Sequence, residues 1–268
     1  QKLTTIETDS YGIGAYCKDL ACVIVYTFLM IYFTDVVGIN PAFVGTLFLM
    51  ARLWDAINDP IMGMIVDNTR SRFGKFRPWI FIGTILNSVV LFLLFRKPDL
   101  EGTSLYLYYS VMYILWGMTY TIMDIPYWSM IPTLATTKED REKISVVPRI
   151  FASLGGLTVT TFGIALVNKL GNGNQIKGFE YFALGIVIIF IISTIVTCIN
   201  VKEKTQVQVN NEKVNIKQAF NILKQNDQLL VFIGIVLAYN LAMQLAGGAA
   251  IYYFKYVAGK ESLFSLYS

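Results

Sequence analysis

Apolar runs long enough to cross a bilayer alternate with short polar stretches along almost the whole chain. About seven such runs occur, over 12–37, 42–66, 78–95, 104–134, 144–167, 181–201 and 229–257. A spanning helix needs roughly 20 mostly apolar residues, so the pattern predicts an all-α membrane protein rather than one soluble core. Polar loops separate the runs at 38–41, 67–77, 96–103, 135–143, 168–180 and 202–228. The last is the longest, and its sequence KEKTQVQVNNEKVNIKQ reads as a hinge between two bundles.

Lysine and arginine set the expected orientation. The even loops hold Arg70, Arg72, Lys75, Arg77, Lys138, Arg141, Lys143, Lys202, Lys204, Lys213, Lys217 and Lys224. The odd loops hold Arg96, Lys97, Lys169 and Lys177. Twelve against four places the even loops, and with them the N-terminus, in the cytoplasm. The expected domains are a six-helix transmembrane bundle over 1–201, a cytoplasmic middle loop over 202–228, and the first helix of an incomplete second bundle over 229–268. The chain stops at 263–268 where an eighth segment would begin. Six-helix halves are a known transporter plan, so a second bundle is expected to follow in the complete protein.

Composition sharpens this picture. Of 268 residues, 55% are hydrophobic and 15% charged, against about 25% charged in soluble domains. The mean hydropathy is +0.54. A net charge of +4 gives no reason to expect a nucleic-acid partner. The three cysteines, Cys17, Cys22 and Cys198, lie in apolar segments and show neither disulfide nor metal-ligand spacing. The sequence contains no histidine, which removes the commonest general base. With no nucleophile elbow and no cofactor loop either, catalysis is the weakest reading, and no cofactor is expected. The first apolar run carries Lys18 and Asp19 and lacks a cleavage site after it, so it reads as a retained span.

Ionisable groups inside apolar spans are costly and mark functional sites by default. In the second span Asp55, Asn58 and Asp59 fall at i, i+3 and i+4, on one helix face. Two carboxylates and an amide oxygen suit a hard cation such as Na+ or Li+. Two nearby like charges also let one acid hold a proton. The competing reading is a kink at Asp59-Pro60, with Asp55 paired to Arg52. In the fourth span Thr121, Asp124 and Trp128 share a face, preceded by Tyr120. An aromatic plate beside a carboxylate is a sugar-binding pair. The alternative for Trp128 is an interfacial belt. In the first span Asp19 offers an acceptor for sugar hydroxyls, and Tyr26 lies two turns further on nearly the same face. Lys18 either pairs with an acid or snorkels to the surface. Arg149, in the fifth span, either snorkels or presents a donor fork to the acids of the first and fourth. Finally, Gly63-x-x-x-Asp67-x-x-Arg70-x-Arg72 closes the second span. Its glycine permits close helix approach, and its acid and arginines read as a cytoplasmic latch or a solvated basic loop.

At these residues a family resemblance appears. RLWDAINDPIMGMIVDNTRSRFGKFRPW resembles the signature of the glycoside–pentoside–hexuronide cation symporters, a branch of the major facilitator superfamily. YGIGAYCKD, YFTDVVG, YILWGMTYTIMDIPYWSMIPT, PRIFASLGG and AIYYFKYV agree with it. The resemblance covers essentially this whole chain, but only the N-terminal half and a little more of such a protein. It implies a major facilitator superfamily fold of twelve helices in two six-helix bundles. It also implies import of an alpha-galactoside with Na+, Li+ or H+, by a monomer in the cell inner membrane. By matching motif, Asp55 and Asp59 resemble cation ligands, with Asn58 and Thr121 beside them. Asp19 and Asp124 resemble the acids that hold galactosyl hydroxyls, and Trp128 the stacking residue. Arg149, Tyr120, Lys18 and Tyr26 line the same cavity on this resemblance. The rivals are a proton-coupled carrier of another glycoside, such as a glucuronide or pentoside, and a non-transporting membrane protein or inactive fragment.

Overall fold

Capping residues start the helices at definite points. Thr4 and Glu7 form a capping box at the first: the Glu7 amide donates to Thr4 Oγ1 at 3.2 Å and the Thr4 amide to Glu7 Oε2 at 2.8 Å. Asn40, followed by Pro41, starts the second, and Thr137, Asn174 and Asn226 start later ones with side-chain acceptors. The computed structural model describes residues 3–204, 225–259 and 264, and no strand occurs among them. Its helices are α1 (Thr5–Ile31), α2 (Pro41–Asp67), α3 (Arg77–Leu94), α4 (Gly102–Ser129), the single turn α5 (Ile131–Leu134), α6 (Lys138–Gly171), α7 (Gln175–Asn200) and α8 (Asp227–Tyr252). Wide π-turns extend α1 over Tyr32–Val37 and α8 over Tyr253–Val257. The first π-turn ends at Gly38, whose φ of 88° is the left-handed conformation that glycine adopts without strain.

Each expected apolar run is therefore helical, but several helices extend past the apolar stretch. α1 begins at Thr5 rather than near 12, behind its Thr4 cap, and α6 at Lys138 rather than near 144 because Thr137 caps it within polar sequence. Four helical stretches are both long and apolar enough to cross a membrane: Thr5–Val37, Arg77–Leu94, Lys138–Gly171 and Gln175–Asn200. α2 and α4 match them in length, at 27 and 28 residues. They are more polar: α2 carries Arg52, Asp55 and Asp59, and α4 carries Asp124 among many tyrosines. In α8 the apolar stretch is the shorter Asp227–Met243. The expected seven runs of spanning length thus fall to four by that measure. Residues 205–224, most of the expected hinge with Lys213, Lys217 and Lys224, lie outside the described residues. So does nearly all of the expected start of an eighth segment.

The chain forms two compact units, 1–207 and 208–268. In the first, α1 is the hub and packs on α6 and α7; α3 packs on α4 and α7, and α2 on α4. Small residues allow close approaches, as membrane helices require. At Gly155 of α6, a Cβ would strike the Tyr16 carbonyl of α1. At Gly83 of α3, it would lie 2.6 Å from the Met123 amide nitrogen of α4. Away from the N-terminus of α1, the core is aromatic: Tyr32, Phe33, Phe95, Tyr109 and Phe179 interlock, and the Tyr32 hydroxyl donates to the Phe95 carbonyl at 3.0 Å. At the other end, the segment leaving α7 is tied down. Glu203 accepts the Lys75 and Phe76 amides at 3.0 and 2.9 Å. Lys204 pairs with Glu7 at 2.8 Å. Outward positions such as Ile188, Ile189 and Ile192 of α7 and Ile82, Leu86 and Val89 of α3 are exposed, as a lipid-facing surface demands. Among the described residues, the second unit consists of α8 with its π-turn.

Asp67 of the closing motif pairs with Lys75 at 2.8 Å. Gly63 has nothing within 4 Å of where a Cβ would sit, so the close approach that its glycine permits is not made among the described residues.

Candidate functional site

α1 and α4 face each other across Lys18. Its burial is nearly complete, at 3% exposed. Its position matches the inward face of α1 that also buries Tyr11, Ala15, Ala21 and Val25. The ammonium donates to Asp124 Oδ1 at 2.6 Å, to the Tyr120 hydroxyl at 3.0 Å and to Asp19 Oδ1 at 3.4 Å. It also lies 4.9 Å from the Trp128 ring centre and 5.4 Å from that of Tyr120, within the range of cation–π attraction. Trp128 donates its indole N–H to Asp124 Oδ1 at 3.0 Å. Of the two readings left open for Lys18, the structure takes the pair with an acid. A fully buried ammonium is tolerable only with such partners. Beneath it, Tyr11 and Tyr127 stack at 4.4 Å and exchange hydroxyl-to-carbonyl hydrogen bonds, which fixes α1 against α4.

A second charged cluster sits where α2 meets α4. Thr121 Oγ1 donates to Asp59 Oδ1 at 2.9 Å. Arg52 pairs with Asp55 at 3.3 Å and also donates to the Tyr26 hydroxyl at 3.0 Å and the Tyr113 hydroxyl at 3.4 Å. The Asp55–Arg52 pair of the competing reading therefore forms, and it leaves Asp59 with a hydroxyl partner. The Asn58 amide nitrogen is buried with no hydrogen-bond partner among the described residues. Gly117 of α4 lets Asp55 approach: a Cβ there would lie 3.2 Å from Asp55 Oδ1. α2 runs on through Pro60 as far as Asp67. Membrane helices absorb such a proline.

α4 is common to both clusters. Thr121 and Asp124 are three residues apart, about 4.5 Å along the helix. One helix thus touches Asp59 with one side chain and Lys18 with the next on that face. Arg149 stays apart. It is exposed on the flank of the α6 stripe Pro148, Ala152, Gly155 and Val159, and its guanidinium makes no ion pair with these acids among the described residues. Tyr26 reaches the second cluster through Arg52 rather than the first. Sequence reading missed Tyr113 and Trp116, whose only signal was the i, i+3, i+7 aromatic spacing with Tyr120. That spacing also describes an ordinary packed helix face.

The geometry gathers paired acids and aromatic plates inside a helical bundle. Residues 10–268 match the MFS/sugar transport protein family, and the chain belongs to that family. It is similar to the inner membrane symporter YicJ of Escherichia coli (strain K12), with 31% identity over 264 residues, covering 98% of this chain and 56% of that protein. It is also similar to the isoprimeverose transporter of Lactiplantibacillus pentosus, 31% identical and covering 93% of this chain and 53% of that protein. To a lactose permease of Lactobacillus delbrueckii subsp. bulgaricus it is 30% identical, covering 96% of this chain and 43% of that protein. The chain spans about half the length of the relatives it matches. It is a membrane protein of a transport family, not an enzyme.

Proposed function

We propose that the complete protein is a secondary active symporter that imports an alpha-galactoside, such as melibiose, with Na+, Li+ or H+. The observation that carries this is the pair of clusters on α4: Asp59 with Thr121, and Asp124 with Lys18, one helical turn apart. Asp55, Asp59, Thr121 and the carbonyl oxygen of Asn58 supply the hard oxygens that a monovalent cation takes. Asp19, Asp124, Tyr120 and Trp128 supply acceptors for hydroxyls and a flat apolar plate for a sugar ring, with Lys18 as the charge the sugar hydroxyls must displace. Arg149 joins this site only if α6 or the side chain moves during transport. The cation drives nothing by itself. It must favour the sugar-competent state by differential affinity, and rocking of two bundles then exposes the site on alternate sides.

Relatives are named for lactose and isoprimeverose transport, so the test uses a panel of sugars. Uptake of labelled melibiose, lactose and a pentoside is measured in cells expressing the complete reading frame, with Na+, with Li+ and without either. Na+- or Li+-stimulated uptake blocked by unlabelled melibiose is the expected result. Uptake blocked only by another glycoside would replace the substrate, and uptake driven by a proton gradient alone would select H+ among the three cations. No uptake with the protein in the membrane would overturn the symporter reading. Asp59→Cys is expected to abolish cation stimulation while sparing sugar binding. If Na+ still raises sugar affinity in that variant, Asp59 is not a cation ligand.

A further inference from the structure

Trp116 sits on α4 between Tyr113 and Tyr120, only 1% exposed. Its indole N–H has no hydrogen-bond partner among the described residues. Buried indole donors normally find one, so this side chain is held by its ring faces and not by its nitrogen. Those faces are occupied. Tyr113 stacks on one side with centroids 6.1 Å apart and planes within 6°. Tyr120 stacks at 5.4 Å and 22°. Tyr26 of α1 meets the ring edge-on at 5.8 Å and 90°.

Both ends of this array terminate in charge. The Tyr26 and Tyr113 hydroxyls accept from Arg52, the partner of Asp55. The Tyr120 hydroxyl accepts from Lys18, the partner of Asp124. Trp116 is the point at which the polar path from one cluster to the other gives way to ring contact. We propose that Trp116 is a positioning residue that transmits cation occupancy at Asp55 and Asp59 to the Lys18–Asp124 pair through the stacked rings of Tyr113, Trp116 and Tyr120. This rests on the symporter reading. When a cation lies beside Asp55, Arg52 is repelled and its hold on the Tyr26 and Tyr113 hydroxyls changes. Packed aromatic rings yield little to compression, so a shift at Tyr113 or Tyr26 reaches Tyr120 and loosens the hydroxyl that helps hold Lys18 over Asp124. A second route is available through the backbone of α4, from Thr121 to Asp124, and the test separates the two.

The measurement is equilibrium binding of labelled melibiose to membranes containing the complete protein, with and without saturating Na+. The ratio of the two affinities is the coupling, commonly about 5–150-fold between linked sites. Trp116→Ala is expected to retain saturable sugar binding while its coupling falls to about a third of wild type or less. Trp116→Phe, which keeps a ring in the stack and loses the N–H, is expected to stay within about twofold of wild type. A general loss of structure would lower binding with and without Na+ alike and leave the ratio unmoved. If Trp116→Ala does not reach the membrane, Tyr26→Phe/Tyr113→Phe keeps every ring and removes only the hydroxyls that Arg52 holds, and its coupling is expected to fall in the same way. Wild-type coupling in Trp116→Ala, or in the double variant where that is the one measured, overturns the proposal and leaves the α4 backbone as the route. Wild-type protein that binds the sugar with no effect of Na+, Li+ or pH, or binds none of melibiose, lactose or a pentoside, overturns the symporter reading first and this inference with it.

Discussion

Replacing Lys18 with methionine isolates the charge at the centre of the site. Methionine keeps an unbranched stem of similar length, so the loss is of the ammonium, which lies 4.9 Å from the Trp128 ring centre and 5.8 Å from that of Tyr127, rather than of volume. Asp124 would lose a 2.6 Å partner and Asp19 a 3.4 Å one. Breaking a fully buried ion pair by deleting one partner costs about 3–5 kcal/mol. Here the acids keep 29% and 26% exposure, so water screens part of the loss and the expected cost is about 2–3 kcal/mol. At about 2–4 °C per kcal/mol for a chain of this size, the thermal midpoint in detergent should fall by about 4–12 °C. Asp124→Asn in the Lys18→Met background removes the uncompensated charge and should recover at least half of the fall. The double-mutant cycle reads the pair directly. A Lys18→Met protein that melts with wild type would refute the reasoning, because it would show that neither acid depends on Lys18.

Two further outcomes test the frame that holds the site. Gly83→Ala puts a methyl 2.6 Å from the Met123 amide nitrogen and 2.8 Å from its Cβ; since that contact is partly backbone, α3 and α4 must part, and a stability loss of about 1–3 kcal/mol is expected in the thermal midpoint. An unchanged midpoint would mean that α3 slides freely on α4. Glu203→Ala releases the Lys75 and Phe76 amides at the start of α3, a loss of about 1 kcal/mol by analogy with helix caps. Trypsin should then cut the exposed Arg70 and Arg72 faster in vesicles that present this face, and equal rates would show that Glu203 does not anchor the loop.

The helices were readable because apolar runs of spanning length leave few alternatives, and their ends were missed where polar caps such as Thr137 carry a helix beyond its apolar stretch. The acids were readable for the same energetic reason: Asp19, Asp55, Asp59 and Asp124 stand out only because their surroundings are so apolar. Which partner each acid takes was not readable. Spacing along one helix admitted Arg52 for Asp55, but nothing in the sequence of α1 says that Lys18 crosses to α4. Arg149 failed for the complementary reason, since a position inside a span fixes depth but not which neighbour the side chain meets. Gly63 shows that a small-residue motif permits an approach without requiring one. Trp116 was invisible because an aromatic stripe at helical spacing is what a packed core also produces; only its nitrogen, without a partner among the described residues, and its place between two charged clusters set it apart.

The charge balance of the two clusters bears on stoichiometry. Arg52, Asp55 and Asp59 carry one positive and two negative charges, and Lys18, Asp19 and Asp124 do the same. Each cluster, fully ionised, is therefore one charge short of neutral. A single monovalent cation or proton completes the first, whereas a divalent ion would leave it positive in an apolar surrounding, at the cost that made the acids conspicuous. The second carries the same surplus charge in different surroundings. Its surplus negative charge faces Trp128 and Tyr120, where neutral hydroxyl donors can satisfy carboxylate oxygens without adding charge. On the symporter reading, one cation per sugar is expected from the α2 acids, and a measured flux ratio of two cations per sugar would put a second cation at Asp19 and Asp124 or at an acid beyond those of α1, α2 and α4.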